Sequence, residues 1–209
     1  MTYTSIIIEG VDRLGKDSLI NGIQNKCGFF QVMHFEKPKR LDVYANLENP
    51  NFNPLYYYQM ESFKNMFDIL DSSAKVICNR SHIGEVVYAP RYRGYSGNYV
   101  FDLEYTDVHS SISFGLKGPA RNCCSNTLLV LLTTSDFSFI QDDGESFDFS
   151  KKEEEQEDFI SAVTKSSIQN KLIIDVAKNG FYAPFETILD TVVGVYSNGL
   201  KIGTQKVSF

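Results

Sequence analysis

Residues 9–18 read EGVDRLGKDS and follow directly on the apolar run SIII at 5–8. A loop that cradles phosphate has the pattern G-x-x-x-x-G-K-[ST], and Gly10, Gly15 and Lys16 satisfy it. Position 17 departs from the pattern: it is Asp17, and the hydroxyl arrives one place late at Ser18. Such a loop needs glycines so that successive backbone N–H groups converge on anionic oxygens, a helix N-terminus aimed at them, and a lysine to carry charge. An apolar strand before Gly10 and a helical segment from Lys16 supply the context that separates a working loop from a chance match. The candidate phosphate-binding residues are therefore Gly10, Val11, Asp12, Arg13, Leu14, Gly15, Lys16, Asp17 and Ser18. The residue after the lysine ordinarily offers a hydroxyl to magnesium; here either the Asp17 carboxylate or the Ser18 hydroxyl takes that role.

Outward from the loop, short apolar runs recur at TSIIIE (4–9), FFQVMHF (29–35), AKVICN (74–79), NTLLVLLTT (126–134) and KLIIDV (171–176). Nearly continuous hydrophobicity, rather than alternation, belongs to strands covered on both faces. Helix-length segments separate them, so the reading is α/β: a five-stranded parallel sheet between helices. Helices are predicted over 16–26, 55–71, 153–167 and 184–196. In the second, Tyr56, Met60, Phe63, Phe67 and Leu70 share one face at helical spacing. The stretch 88–107, rich in Gly, Tyr and Arg, reads as an irregular connection over a site, and the tail NGLKIGTQKVSF as short and mobile.

The 209 residues, 43% of them hydrophobic, suffice for one domain spanning 1–209 with a sizeable core. No apolar run approaches the ~20 residues that cross a bilayer, and the N-terminus lacks the layout of a secretion signal. The expected compartment is the cytoplasm, with no membrane partner. Cys27, Cys78, Cys123 and Cys124 have no C-x-x-C spacing and read as reduced thiols. The balance of 20 Lys+Arg against 26 Asp+Glu leaves −6, with acid crowded into 142–158. That field excludes binding a nucleic-acid polymer through overall charge. Arginines stand at 13, 40, 80, 91, 93 and 121, and none follows Arg121.

The stretch EGVDRLGKDS resembles the phosphate loop of thymidylate kinases, in which an acidic residue opens the loop and an aspartate sits in its middle. In one subgroup an arginine follows that aspartate. Glu9, Asp12 and Arg13 occupy those places. In that subgroup the loop supplies the catalytic arginine and the later lid lacks arginines, in keeping with Arg13 and with the absence of arginine beyond Arg121. The Lys-Asp-[ST] ending is more similar to some viral deoxynucleoside monophosphate kinases, which would put the protein in a host cytoplasm. A second motif, VICNRSHIGEVVY (76–88), resembles the Asp-Arg at the end of the third strand of these kinases: Arg80 matches the arginine that clamps the acceptor phosphate, and Asn79 replaces the aspartate.

The resemblance implies magnesium-dependent transfer of the ATP γ-phosphoryl group to a deoxynucleoside monophosphate, dTMP foremost. Arg13, Lys16 and Arg80 are then the catalytic cations. Asp12, Arg40, Phe63, Arg80, Tyr88 and Arg91 are the candidate acceptor contacts, and Asp17 or Ser18 holds the metal. A lid is expected over roughly 136–158, where only Lys151 and Lys152 could meet phosphate. Homodimers are common in the family. Two other readings stay open. A deoxynucleoside kinase would use Glu36 or Glu85 as a base, and Asp17 and Asn79 also suit a nucleotide-binding module without turnover. Phe63 serves either base stacking or the core; Arg91 and Arg93, interleaved with Tyr88, Tyr92 and Tyr95, suit either nucleotide contacts or a surface loop.

Overall fold

The computed structural model describes residues 3–35, 53–106, 118–140, 148–199 and 201–209. Strand β1 (Ser5–Glu9) is buried throughout and lies between β3 (Val76–Asn79) and β4 (Thr127–Thr133), all parallel. Strand β2 (Gln31–His34) pairs with β3, and β5 (Asn170–Asp175) with β4, both again parallel. Helices α1 (Lys16–Cys27), α2 (Pro54–Asp71), α3 (His82–Tyr92), the short α4 (Cys123–Asn126), α5 (Lys152–Lys165) and α6 (Phe185–Asn198) connect the strands. Strands β6 (Ala177–Lys178) and β7 (Phe181–Tyr182) form a small hairpin before α6.

Among the described residues the sheet has six strands rather than the expected five. Residues Thr204–Ser208 form β8, parallel to β5 from Lys171 to Asp175, giving the order β2-β3-β1-β4-β5-β8. The tail expected to be mobile thus satisfies the outer row of β5 backbone groups, which would otherwise be an unpaired edge. The chain runs from β1 to β2 and β3 on one side of the sheet and then crosses to β4 and β5 on the other. That reversal opens a crevice at the C-terminal ends of β1 and its neighbours.

Local chemistry explains how the elements begin. Asn53 caps α2, its side chain accepting from the N–H groups of Leu55 and Tyr56, with Pro54 in the first turn. Phe63, Met66, Phe67 and Leu70 of α2 are buried, whereas Tyr56 and Met60 are only half-buried, so the predicted stripe is rotated toward Met66. Helix α3 extends to Tyr92 despite Pro90, and a 3-10 turn over Gly97–Phe101 follows, so the segment read as irregular is half helical. Gly22 of α1 faces Leu189 and Phe185 of α6, where a Cβ would come within 2.9 Å of both; the absence of a side chain sets the closeness of these helices. All four cysteines are free thiols.

Candidate active site

The loop after β1 owes its path to two glycines. Gly10 has φ +138°, and a Cβ there would meet the Leu132 carbonyl oxygen at 2.4 Å, so the chain leaves β1 flush against the end of β4. Gly15, at φ +83°, turns the chain into the first turn of α1. Lys16 is buried, and its Nζ donates to the carbonyls of Gly10 and Val11 at 2.8 and 2.7 Å, closing the loop as a ring. Burial, together with the nearby Arg80 charge, pushes the Lys16 ammonium down to about 8.

Asp12 is where the cations meet. One of its oxygens pairs with the Arg80 guanidinium, and Oδ2 lies 3.5 Å from Lys152 Nζ. Burial raises the Asp12 carboxyl, but Arg80, Lys16 and Lys152 outweigh it and hold the group below its usual range. Arg80 is displayed by a left-handed backbone, φ 66°, just past β3, where its N–H donates to Ile8 O at 2.9 Å. Glu9, at the end of β1, is fully buried. Its Oε1 accepts from Ser81 Oγ at 2.6 Å and from the Gly84 N–H at 3.3 Å, tying β1 to the start of α3. Burial pushes the Glu9 carboxyl up against the opposing charges of Lys16 and Arg80.

At Asp17, an expected metal ligand, Asn79 Nδ2 donates to Asp17 Oδ1 at 2.6 Å, and His34 Nδ1 lies 3.1 Å from the same amide nitrogen. Asn79 Oδ1 is buried without a hydrogen-bond partner among the described residues. A carboxylate and a spare amide oxygen suit a hard divalent cation that shares its remaining ligands with a nucleotide. Among the described residues no three His, Cys, Asp or Glu side chains could form a metal site by themselves. Ser18, by contrast, lines a cavity of about 690 Å³ between α1 and the β6–β7 hairpin, together with Arg13, Asn21, Tyr182 and Phe185. The Tyr182 hydroxyl donates to the Arg13 carbonyl, and its ring meets Phe139 edge-on at 4.7 Å. Arg13 has φ 73°, is exposed, and stands on this cavity side of the loop.

The other predicted residues divide. Phe63 is buried and packs on Phe35 at 5.3 Å, below the end of β2. Tyr88 is buried within reach of the Asp12, Glu155 and Arg80 charges, and burial raises its hydroxyl well above the usual range. Arg91 is turned away from the loop: it donates to Asp158 at 2.5 and 3.0 Å and to Glu154 at 3.2 Å, stapling α3 to α5. Glu85 is occupied by Arg93, Tyr95 and Tyr99. Arg40, Glu36 and the 141–147 part of the expected lid lie outside the described residues. From Lys152 onward that lid segment is regular helix, anchored by buried Phe159, Ala162 and Val163. Lys152, expected with Lys151 as a lid lysine that could meet phosphate, is buried at the head of α5, whereas Glu155 had no signal in the sequence beyond its acid-rich run.

A glycine-rich strand-to-helix loop at the switch point of a parallel sheet defines the P-loop kinase fold. Two solved structures share it. The YorR protein of Bacillus subtilis, in complex with phosphorylated GDP, aligns at 15% identity and a TM-score of 0.55, covering 91% of this chain and 94% of that one. Thymidylate kinase from Ehrlichia chaffeensis aligns at 13% identity and a TM-score of 0.50, covering 92% and 97%. No family model and no curated protein sequence matches the chain. At these identities the likeness is one of fold. No helix among the described residues is long and apolar enough to cross a membrane.

Proposed function

We propose that the protein is a single-domain nucleoside monophosphate kinase that transfers the ATP γ-phosphoryl group to a deoxynucleoside monophosphate, dTMP being the first acceptor to test. The observation that carries this reading is the convergence of Lys16, Arg80 and Lys152 on Asp12 beside the phosphate loop. A monophosphate acceptor is already an anionic nucleophile and needs charge neutralisation rather than a base. Among the described residues, the candidate base Glu85 is engaged by Arg93, Tyr95 and Tyr99, which suits an acceptor that needs no base.

In the reaction an acceptor phosphate oxygen bonds to the γ-phosphorus while the bond from that phosphorus to the β–γ bridging oxygen breaks. The electron pair leaves with ADP, and the second product is the nucleoside diphosphate. Backbone N–H groups of Gly10 to Lys16, with the Lys16 ammonium, hold the donor phosphates. Arg13 neutralises charge from the donor side, and Arg80 grips the acceptor phosphate. The cavity beside Ser18 and Tyr182 takes the donor nucleoside, and Phe63 and Tyr88 bound the acceptor. Asp17 and Asn79 would hold magnesium, which when bound neutralises the donor phosphates. The proposal is completed by a cytoplasmic homodimer with its lid over roughly 136–158, on the strength of the family resemblance.

The test is a panel of deoxynucleoside monophosphates, with thymidine in parallel, assayed for ADP release from ATP. Turnover with a monophosphate and none with thymidine is expected. Turnover with thymidine alone transfers the reading to a nucleoside kinase, and ATP binding without any turnover reduces it to a binding module.

A further inference from the structure

The β6–β7 hairpin turns at Asn179 and Gly180, whose φ values of 53° and 75° are the two left-handed positions of a tight two-residue turn. Its base is tied to the sheet. The Val176 N–H donates to Thr133 O at 2.9 Å and the Ala183 N–H to Val176 O at 2.7 Å, while Asp175 Oδ1 accepts from the N–H groups of Ser135 and Ala177. Core packing does not account for the second strand of this hairpin: Phe181 is 73% exposed and Tyr182 48%. An ordered strut that buries so little apolar surface has another reason for its place.

That place is against the phosphate loop. The Tyr182 hydroxyl donates to the Arg13 carbonyl, and Phe139 braces the Tyr182 ring edge-on at 4.7 Å. Burial raises the Tyr182 hydroxyl, against the Arg13 charge, so it keeps its proton and stays a donor. Arg13 has φ 73°, a left-handed conformation that its Cβ disfavours. The flanking Val11 and Leu14 are buried and anchor the loop on either side, whereas Arg13 itself is exposed. Leaving the left-handed region requires rotation about φ, and that rotation swings the side chain and the carbonyl of the residue together. A bond that holds the Arg13 carbonyl therefore also holds the direction in which its side chain departs.

We propose that Tyr182 is a positioning residue for Arg13: acting through the Arg13 carbonyl, its hydroxyl holds this left-handed residue in the conformation that sends the guanidinium to the donor phosphates. The inference rests on Arg13 serving those phosphates, as in the proposed function, but does not depend on the identity of the acceptor. Without the hydroxyl, Arg13 relaxes toward an ordinary right-handed or extended backbone and its cation is averaged over directions. The loop N–H groups and Lys16, which bind the nucleotide, are left in place.

Tyr182→Phe removes the hydroxyl and keeps the ring on Phe139, so its urea midpoint should stay near the parent's. ADP release by the whole protein with the accepted monophosphate should show kcat lowered at least about 10-fold, with KM for ATP and for the acceptor within about threefold. Arg13→Ala and the double variant complete a cycle: kcat of the double variant should lie within about twofold of Arg13→Ala, because a lost position cannot matter once the guanidinium is gone. Losses that multiply, an unchanged kcat in Tyr182→Phe, or a loss of ATP affinity as large as the loss of kcat overturns the proposal. NMR of ¹⁵N-arginine protein, with the Arg13 Nε–H assigned through Arg13→Ala, gives a reading that needs no turnover. A non-hydrolysable ATP analogue with magnesium should move the Arg13 signal in the parent and move it by less than about half as much in Tyr182→Phe. Equal movement in both proteins, or none in the parent, overturns the proposal. That contrast in a parent that turns over no monophosphate would sink the proposed function and leave Tyr182 standing. A parent that binds no nucleotide would sink both.

Discussion

Replacing Arg80 separates the grip on the acceptor from the backbone that displays it. The guanidinium pairs with Asp12 and the side chain is 32% exposed, open to an incoming phosphate. Its backbone is left-handed at φ 66°, with the N–H bonded to Ile8 O at 2.9 Å. Alanine in that conformation carries about 1 kcal/mol of strain that glycine avoids. Arg80→Ala and Arg80→Gly thus delete the same guanidinium while differing in backbone strain. A charge-assisted, forked contact with phosphate contributes about 2–3 kcal/mol. Its loss should raise the acceptor KM roughly 30- to 150-fold. Because the grip acts in ground and transition states alike, kcat should move less than about threefold. Urea unfolding should find the Ala variant about 1 kcal/mol less stable than the Gly variant. The assay is ADP release at saturating ATP with the acceptor varied. A KM within about threefold of the parent, worth only ~0.7 kcal/mol, refutes the acceptor role. A fallen kcat with unchanged KM would reassign Arg80 to the transferred group.

Other outcomes can be measured in parallel. Lys16→Ala should abolish turnover and weaken ATP by at least about 10-fold in calorimetry, since a charged phosphate ligand is lost; unchanged activity removes the loop from the mechanism. Arg13→Ala should lower kcat by roughly 10²-fold, about 3 kcal/mol, with ATP affinity changing much less; a kcat within about threefold of the parent in rapid-quench assays leaves that work to other cations. Glu9→Gln concerns pH. Burial raises the Glu9 carboxyl, so the folded protein holds that proton to higher pH than the unfolded chain does, and this carboxyl costs stability as pH climbs past the ordinary carboxylate range. The Gln variant should therefore be more stable than the parent at pH 8, with the advantage shrinking toward pH 4; an advantage independent of pH in urea titrations contradicts the assignment.

The strand-and-loop grammar of this protein was legible in its sequence because it is local. Continuous apolar runs mark strands buried on both faces, and Gly10, Gly15 and Lys16 meet a pattern set by backbone geometry within eight residues. The place of Arg80 at the end of β3 was also readable, from the apolar run that stops at Asn79, but its pairing with Asp12 depends on β3 lying beside β1, which only the fold decides. The choice of Lys152 over Lys151, and the places of Glu155 and Arg91, were not readable. Nothing in KKEEEQED separates one buried lysine from a solvated charged face, and Arg91 reads equally as a nucleotide contact or a surface-loop residue, while its actual place as a staple appears only when α3 and α5 are packed together. Likewise β8 is too polar to announce itself; it exists because β5 offers an open edge. Periodicity and loop chemistry act over a few residues of chain and so are written in the sequence. Which charge meets Asp12 across 140 residues of separation is decided by tertiary packing alone, because burial and Coulomb energy depend on distance in space.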